Sequence, residues 1–181
     1  RDPEMSRGLG DVYKRQIAYN TLLFHGSVIA VDGEAYLFTA KSGTGKSTHT
    51  KLWRKYFGNR AVMVNDDKPL LKVTGKGVLA CGTPWAGKDH LQNNIMVPLK
   101  AVCILERDTV NHIELIRKRD AWKMILQQSY RSDQPAVLSS TIRLAEQIMD
   151  KTKLYRLGCN MSMQAVETSY NGMNTDIDYA D

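Results

Sequence analysis

Residues 35–47 read AYLFTAKSGTGKS, and their interpretation decides the fold. Ala35 to Thr39 are apolar and aromatic, the composition of a strand. Ser42-Gly43-Thr44-Gly45-Lys46-Ser47 is a glycine-rich turn that opens a helix, expected over 47–57 with Leu52, Trp53 and Tyr56 on or near one face and Gly58-Asn59 as its stop. In such a setting, consecutive backbone N–H groups and a helix N-terminus hold a polyphosphate. Gly43 and Gly45 allow the close approach and the φ/ψ values this needs. Lys46 is expected to reach the β- and γ-phosphates, and the Ser47 hydroxyl to coordinate Mg²⁺. The expected nucleotide-binding set is Ser42, Gly43, Thr44, Gly45, Lys46, Ser47 and Thr48. The full pattern G-x-x-x-x-G-K-[ST] asks for glycine at position 40, where this chain has Ala40, so the first turn of the loop departs from it.

Upstream, 27–31 (SVIAV) is a second strand, and Asp32-Gly33 between the two is a strong hairpin signal. Downstream, 61–64 (AVMV) reads as a buried strand closed by Asn65-Asp66-Asp67. Residues 70–73 and 78–81 flank a second hairpin, and 82–88 form a loop. Residues 101–105 and 112–116 are expected to pair with each other. Helical spacing follows at 119–130 (Trp122, Ile125, Leu126) and 136–151 (Leu138, Ile142, Ala145, Ile148), then a strand at 153–157 and a short helix at 162–170. Strands come first, in hairpins, and helices collect late. The expectation is a single-domain α/β P-loop fold over 17–173, with a mixed, hairpin-rich, twisted sheet flanked by helices and a frayed acidic tail over 174–181.

The 181 residues are 43% hydrophobic and 24% charged, which excludes disorder and collagen-like order. No apolar run approaches the ~20 residues that cross a bilayer. The formal charge of +6 is scattered, with no dense basic stretch and no aromatic-Gly platform, so nucleic acid is not the expected partner. Cys81, Cys103 and Cys159 are odd in number and form no CxxC pair. They read as reduced thiols of a cytoplasmic protein. Residues 1–16 (RDPEMSRGLGDVYKRQ) fit neither period and resemble a translated sequencing-adapter scar, which would put the start of the native chain near Ile17. A natural disordered N-terminus is the alternative, and the segment is set aside either way.

Asp66-Asp67, after a buried strand, are the expected partners of the loop. One acid would orient Mg²⁺ and the other would face substrate, which adjacent residues do if the strand continues. A turn formed by Asn-Asp-Asp before Pro69 is the alternative. His25 lies far from the phosphates or beside them depending on hairpin register, and taken alone it reads as a structural histidine.

His25-Gly26, a strand hairpin, SGTGKS and a strand ending in Asp66-Asp67 occur in the order seen in HPr kinase/phosphorylase. The wider group includes ATP-dependent phosphoenolpyruvate carboxykinase. The stretches FHGSVIAVDGEAYLFTAKSGTGKSTHTKLW, VNDDKPLL, GTPWAGKDH and LYRLGCN resemble small bacterial HPr-kinase-like proteins over about residues 17–173. The resemblance implies a mixed, strongly twisted sheet, ATP and Mg²⁺ as cofactors, and phosphoryl transfer to a hydroxyl of a protein, peptide or small metabolite. It implies that His25, Lys46, Ser47, Asp66 and Asp67 line the site, with Ser47 and Asp66 toward the metal and one of the two aspartates as base. Which aspartate is the base stays open. HPr kinases are oligomers, so a homo-oligomer is possible on the same ground.

The later signature of true HPr kinases has no counterpart here. Instead Gly82-Thr83-Pro84-Trp85 and Lys88-Asp89-His90 offer a substrate-side wall, with Lys88 or His90 touching transferred phosphate and Arg107 a further candidate. A solvated turn carrying a packed Trp85 is the alternative. Arg156 reads as a structural pairing residue. A nucleotide sensor without turnover is a second functional reading. Carboxykinase activity is disfavoured by length, and a GTPase lacks an NKxD-like motif.

Overall fold

In the computed structural model of the chain, the structure describes residues 19–87, 89–131 and 134–175. The segment 1–16 and most of the acidic tail lie outside them. In chain order the elements are β1 (Thr21–Leu23), β2 (Ser27–Val31), β3 (Glu34–Thr39), α1 (Lys46–Phe57), a 3₁₀ turn (Gly58–Arg60), β4 (Ala61–Asn65), β5 (Leu70–Thr74), β6 (Gly77–Cys81), β7 (Met96–Arg107), β8 (His112–Leu115), α2 (Lys118–Gln128), α3 (Pro135–Lys151), β9 (Lys153–Cys159) and α4 (Met163–Asn174). This is the expected mixed α/β sheet flanked by helices.

The Asp32-Gly33 hairpin forms, with both residues at positive φ as a type I′ turn requires. β2 is antiparallel to β3 on one side and to β4 on the other, while β3 and β9 flank β7 in parallel. The start of β7 also pairs with β6, which joins the β1-β5-β6 hairpin layer to the main sheet. The described helices include none long and apolar enough to cross a membrane.

Alternate residues of the central strands feed two cores. Val28, Leu37, Val102 and Ile104 pack with Ile125, Leu144 and Ile148 of α2 and α3 on one face. Ile29, Phe38, Cys103 and Leu105 pack with Trp53, Phe57 and Val166 of α1 and α4 on the other. Burial on both faces is why these strands read as continuous apolar runs rather than alternating ones. The Arg156 guanidinium pairs with Glu106 and Glu114 across β7, β9 and β8.

Several expectations are corrected. Residues 101–105 and 112–116 do not pair: β9 lies between them, parallel to β7 and antiparallel to β8. β9 is buried along most of its length and needs a neighbour on each edge, whereas β8 is short, half-exposed and suited to an edge. The buried stripe of α3 is Thr141, Leu144, Ala145, Ile148 and Met149, and Leu138 is exposed. On α1, His49, Thr50, Trp53 and Phe57 are buried while Tyr56 faces out. The last helix continues to Asn174, beyond the expected Tyr170.

Candidate functional site

The topology gathers the candidate residues. Because β2 is antiparallel to both neighbours, its start lies beside the ends of β3 and β4. The chain before β2 carries His25, the chain after β3 carries residues 40–47, and the chain after β4 carries Asp66 and Asp67. All three meet at one end of the sheet. Gly26 N–H donates to Asp67 O at 3.0 Å, and the Thr39 hydroxyl to His25 O at 3.1 Å. The register question left open for His25 thus resolves to the near side.

The residues from Ala40 to Gly45 form a loop between β3 and α1, and Lys46 and Ser47 open the helix. Gly43 and Gly45 take φ values of 78° and 118°, left-handed conformations that would strain any other residue. Ala40 is not among the positive-φ positions, so this conformation needs no glycine there. No side chain caps α1 and its first turn carries no acid. Its leading N–H groups, which have no partner within the helix, are thus left for an anion. Lys46 Nζ donates to Ala40 O at 3.2 Å. Burial pulls the Lys46 ammonium below its ordinary pKa, and the charge of Asp67 pushes it back up.

A cleft of about 840 Å³ opens beside this loop. Ser42, Gly43, Lys46, Ser47 and Thr48 form its loop side, and His25, Asp66 and Asp67 its sheet end. Ala86, Gly87, Asp89 and His90 form its opposite wall. His90, one of the two expected wall residues, is therefore at the cleft, and Lys88 lies outside the described residues. Arg107 does not line this cleft: its Nη2 donates to Gly43 O at 2.6 Å, bracing the loop. Thr44 Oγ1 donates to Lys41 O within the loop.

The two aspartates differ. β4 ends at Asn65, so they do not alternate along a strand. Asn65, fully buried, accepts from the Asp67 and Lys68 N–H groups at 2.9 and 2.7 Å, the side-chain turn that Asn commonly makes. Its amide nitrogen donates to Thr83 and Trp85 carbonyls. The turn is therefore present, formed by Asn65, while the two aspartates line the cleft. Asp66 is buried and accepts from Gly87 N–H at 2.6 Å, holding the 82–87 loop. At Gly82 a Cβ would sit 1.8 Å from Asn93 O, so only glycine lets the strand leave β6 this close to its neighbour. Asp67 is more open, with Lys68 Nζ at 3.2 Å and His25 Nε2 at 3.4 Å.

His25 is tied to the end of α2. Its N–H donates to Gln128 O at 2.8 Å, and Nδ1 donates to Gln128 Oε1 at 2.6 Å. A carbonyl oxygen only accepts, so Nδ1 of His25 carries a proton, and Nε2 is the ring nitrogen that faces Asp67. Gln128 was not expected from sequence, and Asn65 only as part of the alternative turn. Asn65 had a signal, since Asn before two acids and a proline is a turn-former. Gln128 had none.

No cluster of three or more His, Cys, Asp or Glu able to hold a metal occurs among the described residues. The oxygen donors at the cleft include Ser47 Oγ and the Asp66 and Asp67 carboxylates. That set fits Mg²⁺, which takes one or two carboxylates and completes its shell with phosphate and water.

Residues 3–166 match the family described as "SynChlorMet cassette protein ScmC", a span that takes in most of the segment set aside above. No curated protein matches. Among solved structures, the HPr(Ser) kinase/phosphatase from Coxiella burnetii is similar at 11% identity and a TM-score of 0.45, covering 83% of this chain and 94% of that one. A likeness this low carries no functional conclusion.

Proposed function

The chain belongs to the family of SynChlorMet cassette proteins ScmC, and from that premise we propose that it is an ATP- and Mg²⁺-dependent phosphotransferase acting on a hydroxyl group. The observation that carries this reading is the convergence of Lys46, Ser47, Asp67 and His25 on one cleft, beside an uncapped helix N-terminus. The loop N–H groups and Lys46 bind the polyphosphate. Ser47, with Asp66 or Asp67, would hold Mg²⁺, which when bound neutralises charge on the phosphoryl oxygens.

Asp67 is the better candidate for the base, because Asp66 is already engaged by the Gly87 N–H. Asp67 orients the acceptor hydroxyl and takes its proton as the oxygen bonds to phosphorus. His25 Nε2, 3.4 Å away, is placed to receive that proton in turn, with Gln128 fixing the ring. Asp66 keeps the 82–87 wall in register, and His90 on that wall faces the acceptor side. A peptide hydroxyl is the acceptor favoured by analogy with the resembling proteins.

The test is Mg²⁺-ATP hydrolysis without acceptor, where water stands in for the hydroxyl. Slow hydrolysis that is lost in Asp67→Asn, with ATP binding retained, supports the proposal. ATP binding without any hydrolysis by the wild-type chain would instead favour a nucleotide sensor.

A further inference from the structure

A second cavity, of about 250 Å³, opens on the other side of the phosphate loop. It shares Gly45 and Thr48 with the cleft, so the two are joined across the start of α1. Its walls are mostly apolar: Leu52 from α1, Leu105 from the end of β7, and Cys159 and Met161 at the end of β9. A polyphosphate seated on the loop with one end at Lys46 and Asp67 would have its other end toward Thr44 and Thr48, which line this cavity. A group attached at that end enters an apolar slot.

The polar side chains of the slot are turned onto their own loops. Asp108 Oδ1 accepts from the Thr109 and Val110 N–H groups at 2.6 and 3.2 Å. Asn160 Nδ2 donates to Thr109 O at 3.1 Å, and its Oδ1 accepts from the Ser162 hydroxyl. His49 Nε2 accepts from Trp53 Nε1–H at 3.0 Å. Arg107, on the same wall, donates from Nη2 to Gly43 O at 2.6 Å, and the Thr44 hydroxyl donates to Lys41 O. Each of these side chains, which could read the edge of a base, already has a partner. Apolar walls give affinity but discriminate weakly, whereas sites that hydrogen-bond an edge reject the wrong edge strongly.

We infer that this cavity is the nucleoside subsite of the phosphotransferase, and that it takes a purine by burial of the ring without reading its edge, so that GTP serves as well as ATP. This rests on the phosphate-loop reading above.

Cys159, a half-buried free thiol of the wall, provides the probe. The 181-residue chain is alkylated in the presence of Mg²⁺ with ATP, GTP or inorganic triphosphate, and the rate at Cys159 is compared with that at Cys81, which is remote from the cavity. Nucleotide binding is followed in parallel by thermal unfolding. ATP or GTP at about ten times its Kd should slow Cys159 alkylation about tenfold. Inorganic triphosphate should stabilise the chain without protecting Cys159, and Cys81 should be unaffected throughout. GTP should bind within about tenfold of ATP. Two results overturn the inference while leaving the phosphate loop intact: ATP that stabilises the chain but leaves Cys159 unprotected, or a preference for ATP over GTP beyond about a thousandfold. If neither ATP nor triphosphate stabilises the chain, the phosphate-loop reading fails, and this inference with it.

Discussion

His25 Nε2 and Asp67 Oδ1 stand 3.4 Å apart at the end of the sheet, one from the chain entering β2 and the other from the chain leaving β4. With Nδ1–H committed to Gln128 Oε1, Nε2 is the ring nitrogen left to exchange a proton with Asp67. His25→Ala should therefore slow phosphoryl transfer by roughly 10²- to 10⁴-fold while nucleotide affinity stays nearly unchanged. Gln128→Ala should reproduce part of that loss, and the double variant should lose less than the product of the two, because both act through one proton path. Single-turnover rates beside ATP binding measure this. Strictly multiplicative losses would separate Gln128 from the proton path.

Asp66 and Asp67 should part company on mutation. Asp67→Asn should reduce turnover far more than binding or stability. Asp66→Asn should cost stability, about 1–3 kcal/mol, by weakening the buried acceptor of the Gly87 N–H. Denaturant unfolding of both variants beside their turnover distinguishes the two roles. Equal effects of the two substitutions on both quantities would contradict the division.

His49 gives the fold a dependence on pH. Its ring is buried against Phe38 and Trp53, and Ser169 lies 3.3 Å from Nε2. Burial pushes its pKa down to about 4 from the ordinary 6.5. The unfolded chain therefore binds the proton more readily, and stability is fully present above about pH 6.5. It declines as the pH falls from there toward 4, by an amount on the order of 3 kcal/mol. His49→Gln, which keeps an acceptor for Trp53 Nε1–H, should flatten the stability profile over that window. An unchanged slope in the variant would assign the dependence to other groups.

Sequence made the strand–glycine loop–helix unit at 35–57 legible because its demands are local: two glycines at positive φ, a strand before and a helix after. The Asp32-Gly33 hairpin was legible for the same reason. The lateral order of the strands was not. Nothing within 112–116 says that β9 will arrive later to separate it from β7; that follows from β9 being buried along most of its length. The proximity of His25 to Asp67 likewise depends on β4 pairing with β2 across the whole of α1. His49 carried a usable signal, since it is one helical turn before Trp53 on the same face of α1. Arg107 was read as a substrate-side residue, but the end of β7 aims it at the Gly43 carbonyl.

Thermal unfolding with and without Mg²⁺-ATP, for the wild-type chain and Lys46→Ala, tests the nucleotide site most directly. Ligand at about 100 times its Kd adds about 2.7 kcal/mol, which for a domain of this size raises Tm by roughly 5 to 10 °C. The account predicts that rise in the wild type and its loss in a Lys46→Ala chain that remains folded. No rise in the wild type, or an equal rise in both, would contradict it.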